Sequence, residues 1–168
     1  IDGGAGVDTA SYKHDAGVTV ALDGSLTATG AALGDQLISI ENLIGSEIGD
    51  DILAGDAGTN VLEGRGGRNT LYGRAGDDVF IGGVGVDVMD GGDGIDVVSY
   101  AANAATYVDL KGVNAPDGGA VGDTFVSIEN IEGSALGFDA LFGNDEVNTI
   151  SGLGGEDDGS RAQSGFLK

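Results

Sequence analysis

Residues 55–99 read GDAGTNVLE, GRGGRNTLY, GRAGDDVFI, GGVGVDVMD and GGDGIDVVS, five consecutive units of nine residues. Glycine holds positions 1 and 4 of every unit, and Asp or Asn holds position 6. Position 8 is always apolar: Leu62, Leu71, Phe80, Met89 and Val98. A ten-residue variant, GSEIGDDILA at 45–54, precedes them, with Asp51 and Leu53 in the corresponding places. The glycine-rich half of a unit bends sharply, because glycine accepts positive φ. The second half reads as a short strand whose apolar residue points inward while its neighbours point out. One unit is thus a turn and a strand, and two units complete a coil. Coils stacked in parallel sit about 4.8 Å apart. The predicted fold class is all-β, a parallel β-roll or β-helix solenoid with longer spacer loops.

In such a solenoid, the turns on one side belong to alternate units. One side carries Asp51, Asn69 and Asp87, and the other carries Asn60, Asp78 and Asp96. Stacked carboxylates repel unless a cation lies between them. Ca²⁺ suits the place, since it takes six to eight oxygen ligands in a forgiving geometry, whereas Mg²⁺ demands a tight octahedron. The pairs are Asp51/Asn69, Asn60/Asp78, Asn69/Asp87 and Asp78/Asp96; the last, with two carboxylates, is expected to bind most tightly. The turn glycines Gly67, Gly76, Gly83, Gly85, Gly92 and Gly94 are expected to complete the sites. Weaker candidates are Asp139 with Asp157, and Asp8, which is expected to need a partner upstream of residue 1. The site does not exist in the open chain, so binding of several ions and folding should be one process.

Composition agrees. Twenty-eight acidic against seven basic residues leave a charge of −21, which supplies no cationic patch for nucleic acid or anionic membranes. Thirty-four glycines raise the entropic cost of folding, yet 40 % of residues are hydrophobic, too many for a plain linker. A ligand that binds only the folded form resolves the conflict. Without cysteine there is neither a disulfide nor a thiolate metal site. No apolar run is long enough to predict membrane insertion.

A longer period overlies the short one. Asp2–Asp8 (DGGAGVD) returns as Asp90–Asp96 (DGGDGID), and Ser39-Ile40-Glu41-Asn42 returns as Ser127-Ile128-Glu129-Asn130, both at an offset of 88 residues. The expected organisation is a first module over 1–88 (spacer 12–44, array 45–88) and a second, incomplete one over 89–160 (spacer 100–132, degenerate repeats 133–160). A tail follows at 161–168. The spacers contain alternating stretches at 18–22 and 107–110 that predict strands, with loops at 23–34 and 111–122. The opening residues match the end of a nonapeptide, which predicts that the sequence starts inside a longer array.

The nonapeptide G-G-x-G-x-D-x-U-x resembles the RTX (repeats-in-toxin, haemolysin-type) calcium-binding family, strongly over 45–99 and more weakly over 2–11 and 133–157. The resemblance implies a β-roll segment of a larger secreted bacterial protein, exported unfolded by a type I system from a Gram-negative cell and folding on external calcium. It places the chain outside the cell or at its surface, with further repeats or domains of the parent chain as partners. Two other readings stand beside it: a calcium-rigidified spacer of an adhesin or surface-layer protein, and an auxiliary module of a polysaccharide-modifying enzyme. Catalysis within this chain is not expected. His14 is the single histidine, and neither a nucleophile elbow nor a phosphate-binding glycine loop occurs. Tyr12 and Tyr100, which follow the two DGGxGxD segments, are expected to pack or cap. Arg65, Arg68 and Arg74 are expected to balance charge.

Overall fold

Short apolar-centred segments separated by glycine turns can only form short strands, and the computed structural model, which describes residues 1–113, 115–155 and 157, contains little else. In chain order the strands are β1 (Thr9–Ser11), β2 (Thr19–Ala21), β3 (Asn42–Ile44), β4 (Ile52–Ala54), β5 (Val61–Gly66), β6 (Thr70–Ala75), β7 (Val79–Val84) and β8 (Val88–Asp93). They continue with β9 (Val97–Ser99), β10 (Thr106–Asp109), β11 (Asp117–Gly118), β12 (Thr124–Val126), β13 (Asn130–Glu132), β14 (Ala140–Phe142) and β15 (Ile150–Ser151). The one helical element among the described residues is a 3₁₀ turn, Gly30–Ala32. The predicted tail, 161–168, lies outside the described residues.

The array coils as its spacing predicts. Leu53 registers on Leu71 and Leu71 on Met89 in one wall, and Leu62 on Phe80 and Phe80 on Val98 in the other, all in parallel. These position-8 side chains are fully buried between the walls. Leu43, Val108, Ile131, Leu141 and Ile150 extend the same apolar column through the spacers and the degenerate repeats. The fold is an all-β parallel roll.

The two walls differ. One is a single seven-stranded sheet in the order β1-β3-β5-β7-β9-β13-β15. The other is split into a five-stranded sheet, β12-β8-β6-β4-β2, and a three-stranded sheet, β11-β10-β14. The split arises because β10 pairs with β14, while the chain between them lays β12 on β8. The second spacer tip is more than a loop, since β11 folds back antiparallel on β10; Thr29 bridges Thr19 in the same way in the first spacer. A cleft of about 400 Å³ opens at each detour, one lined by Leu22, Asp23, Asp35 and Leu37, the other by Leu110, Lys111, Asp123 and Phe125.

Candidate metal centres

Each position-6 side chain sits at the start of its strand and is held by the coil below it. Asn69 Oδ1 accepts the backbone N–H of Asp51 at 3.1 Å, and Asp87 Oδ1 that of Asn69 at 2.8 Å. On the other side, Asp78 Oδ1 accepts from Asn60 at 2.7 Å, and Asp96 Oδ1 from Asp78 at 2.9 Å. All six side chains, from Asp51 to Asp96, are buried. The pairs expected from an eighteen-residue coil are therefore in place.

The ladder continues into the spacers, where no nonapeptide announces it. Asp123 Oδ1 accepts the N–H of Asp87 at 2.8 Å, and Glu129 Oε2 accepts that of Asp96 at 2.8 Å. Glu41 Oε2 accepts that of Asp8 at 2.8 Å. Two expectations are corrected. Asp78/Asp96 is not the only pair with two acidic residues, and Asp8 finds its partner downstream, 33 residues along the chain. A Glu reaches far enough to stand in for Asp when the coil is longer, which the nonapeptide pattern does not encode. In the last block, Asp139 accepts the Thr106 N–H at 2.9 Å and passes its own to Asp157 at 3.3 Å.

The second oxygen of each carboxylate divides the set in two. Asp51 Oδ2 accepts both the N–H and the hydroxyl of Ser46, at 2.7 and 3.1 Å, while its Oδ1 accepts the Val18 N–H. Ser134 braces Asp139 through both oxygens, its N–H donating to Oδ2 at 2.7 Å and its hydroxyl to Oδ1 at 2.9 Å. Asp123 Oδ2 accepts the Tyr100 hydroxyl at 2.6 Å, and Asp35 that of Tyr12 at 2.9 Å, which gives both tyrosines their capping role. These carboxylates are satisfied by protein alone. By contrast, Oδ2 of Asp8, Asp78, Asp87 and Asp96 is buried without any partner. A buried unpaired carboxylate oxygen carries its full desolvation penalty.

The Asn-containing units show how the array closes without a charge. Asn60 Nδ2 donates to the Glu41 carbonyl at 2.8 Å, and Asn69 Nδ2 points at the Gly82 carbonyl at 3.5 Å. Asn148 repeats the first arrangement on Glu129 at 2.7 Å. The amide turns an N–H toward a carbonyl where an Asp can offer only a second oxygen. The sequence ranked Asn60, Asn69 and Asp51 with the other metal candidates; here their side chains are occupied by protein groups.

The first glycine of a unit packs against the position-6 side chain and a turn carbonyl, in Asp and Asn units alike. A Cβ built on Gly73 would lie 2.3 Å from Asp78 Oδ2 and 2.5 Å from the Gly91 carbonyl oxygen. Around the turns, Gly67, Gly76, Gly83, Gly85, Gly92 and Gly94 all have positive φ. Their stacking is close: a Cβ on Gly85 would meet the Gly67 carbonyl at 1.7 Å, and one on Gly94 the Gly76 carbonyl at 2.0 Å. Arg65 and Arg74 take the same left-handed conformation, φ 73° and 86°, at the position where later units have Gly83 and Gly92. Arg65 pairs with Glu63 at 3.1 Å and Arg74 with Asp23 at 3.9 Å, in line with a charge-balancing role.

The electrostatics follow from burial. Burial raises Asp78 to about 7, with the charges of Asp96, Asp56 and Asp77 adding to it and the Asn60 N–H opposing. Burial and the charge of Glu129 raise Asp96 to about 6, and burial raises Asp87. Asp123 is lifted by burial to about 6 against the pull of the Tyr100 hydroxyl. Unpaired buried oxygens, facing carbonyls and reluctant to ionise, fit a hard cation that would take all of them as ligands. Among the described residues, no three His, Cys, Asp or Glu side chains cluster, so backbone carbonyls would have to supply much of any coordination. Asp78, Asp87 and Asp96 would hold calcium, and the ion's chemistry there is structural, cancelling charge between coils.

The family model for the RTX calcium-binding nonapeptide repeat (4 copies) matches residues 47–79 and 63–98. Comparison with curated proteins found no match. The matched stretch is the part of the roll in which unpaired Asp oxygens face turn carbonyls, so motif and geometry agree over residues 47–98, which carry the RTX calcium-binding repeat.

Proposed function

We propose that this chain is the calcium-dependent folding segment of a larger secreted bacterial protein, kept open where calcium is scarce and folded after export. The observation that carries the reading is the buried, unpartnered Oδ2 of Asp78, Asp87 and Asp96. Without an ion these groups oppose folding; with one they become its main drive, since the site forms only in the coiled chain. A charge of −21 works in the same direction, as self-repulsion disfavours the compact metal-free state. Any catalytic activity belongs to other parts of the parent protein.

Far-UV circular dichroism during a Ca²⁺ titration, with Mg²⁺ as control, tests the proposal. A coil spectrum that becomes β with Ca²⁺ alone supports it, and an unchanged β spectrum in excess chelator overturns it. A second reading, a calcium-rigidified spacer in a long surface protein, draws on the recurrence of whole hydrogen-bond sets at an offset of 88 residues, Tyr12–Asp35 with Tyr100–Asp123 and Asp8–Glu41 with Asp96–Glu129. The length of the parent chain and its number of modules separate the two.

A further inference from the structure

We propose that the cleft at the first detour, between Leu22 and Leu37, is a docking slot for a short extended peptide that carries a basic residue beside apolar ones. The slot lies where the wall of the roll is interrupted. On one side of it, Ile38 spends both main-chain groups on the start of the chain, its N–H on the Ile1 carbonyl and its carbonyl on the Gly3 N–H, each at 3.0 Å. On the other side, Leu22 donates to the Ala54 carbonyl at 2.9 Å and so belongs to the β2–β4 ladder. Neighbouring residues of an extended strand aim their main-chain groups at opposite sides. Leu37 therefore turns its N–H and carbonyl away from Ile1 and Gly3, toward the cleft that it lines. Neither group is hydrogen-bonded among the described residues. An open strand edge is a template for one more strand.

The second detour repeats the arrangement. Thr124 donates to the Asp87 carbonyl at 2.8 Å, and β12 ends its sheet with β8 as its one neighbour. Phe125, 88 residues after Leu37, thus turns its main-chain groups to the matching cleft. Both clefts measure about 400 Å³, inside the range of roughly 300–1,000 Å³ for sites that enclose a small ligand. Leu22, Leu26, Ala28 and Leu37 give the first an apolar lining. Asp23 and Asp35 add two carboxylates, and its described lining residues include no Lys or Arg; Arg74 stands 3.9 Å from Asp23. A basic residue in the peptide complements that charge. In the second cleft Lys111 takes the place of Asp23, which weakens the preference. A saccharide would call on side-chain acceptors, and these are already in use: Asp23 accepts the Ser25 N–H and Asp35 the Tyr12 hydroxyl, each at 2.9 Å. The groups left open are one main-chain donor and one main-chain acceptor, which a peptide matches.

The inference needs only a folded roll and stands apart from the calcium reading. It is tested by heteronuclear NMR of the full chain in saturating calcium, titrated with the blocked peptide acetyl-Leu-Lys-Leu-amide. The expected result is a saturable shift of the Leu22 and Leu37 amides. Replacing the peptide's Lys by Glu should weaken binding about fivefold or more. Methylating the main-chain nitrogen of that Lys, which removes a donor and leaves the side chains, should weaken it about tenfold. Asp23→Asn keeps an oxygen for the Ser25 N–H and should narrow the preference for Lys over Glu to that seen at Phe125. No shift at Leu37 with millimolar peptide overturns the proposal, as does equal binding of the methylated peptide. Shifts at the same amides from maltotriose, with none from the peptide, overturn it in favour of a carbohydrate site.

Discussion

Oδ1 of Asp96 accepts the backbone N–H of Asp78 at 2.9 Å, so one carboxylate is stitched directly above another. Their folded-state pKa values, about 7 for Asp78 and about 6 for Asp96, lie above the unfolded carboxylate value of about 3.9. The native state therefore holds protons that the unfolded chain releases. Its stabilisation is complete below about pH 4 and is lost as pH rises through 6 to 7. In metal-free buffer, β structure should increase as pH falls from about 8 to 5, followed by circular dichroism. Calcium affinity should fall over the same interval, because proton and metal compete for one oxygen.

Asn69 predicts what happens when the charge is removed. Its amide faces the Gly82 carbonyl, where Asp78 presents a bare oxygen to the Gly91 carbonyl. Asp78→Asn, Asp87→Asn and Asp96→Asn should each stabilise the metal-free roll by about 1–3 kcal/mol, the usual penalty of an unsatisfied buried polar group. Urea unfolding in chelator measures the gain. The triple variant should also lose most of the calcium-induced rise in midpoint.

The roll was legible in the sequence because period nine leaves little freedom: Leu62, Leu71, Phe80, Met89 and Val98 must all point inward, and they do. The split wall was not, since nothing in the local pattern of 106–109 says that β10 passes over the level of β12 to reach β14. In the site, the eighteen-residue pairing was legible, but the sorting of carboxylates was not. That sorting depends on partners 5 residues away for Ser46 and Asp51, 23 for Tyr100 and Asp123, and 33 for Asp96 and Glu129. The recurrence of Ser-Ile-Glu-Asn in both spacers was the available signal for Glu41 and Glu129, which lie outside the nonapeptide.

Gly73 tests whether the cradle matters apart from charge. Its φ is not positive, so alanine carries no backbone strain there; its Cβ would instead occupy the space between Asp78 Oδ2 and the Gly91 carbonyl. Gly73→Ala should weaken calcium binding by at least about tenfold at that step, and overpacking should cost about 1–3 kcal/mol in stability with calcium present. Isothermal titration of the variant against the parent chain reads the first effect, and calcium-saturated urea unfolding reads the second.

Ser46 separates the metal-independent brace from the metal sites. Its N–H donates to Asp51 Oδ2, and its hydroxyl accepts the Gly49 N–H while Asp51 Oδ2 and the Gly49 carbonyl, each at 3.1 Å, share its single proton. Ser46→Ala keeps the backbone bond and removes the hydroxyl, leaving a buried charge less satisfied, at a cost of about 1–3 kcal/mol. Because Asp51 is held by protein groups, the number of bound calcium ions should not change. Ser134→Ala should act likewise on Asp139. Thermal unfolding in saturating calcium, with ion counting on the same samples, checks both. A loss of bound calcium in Ser46→Ala would move Asp51 from the brace to the metal sites.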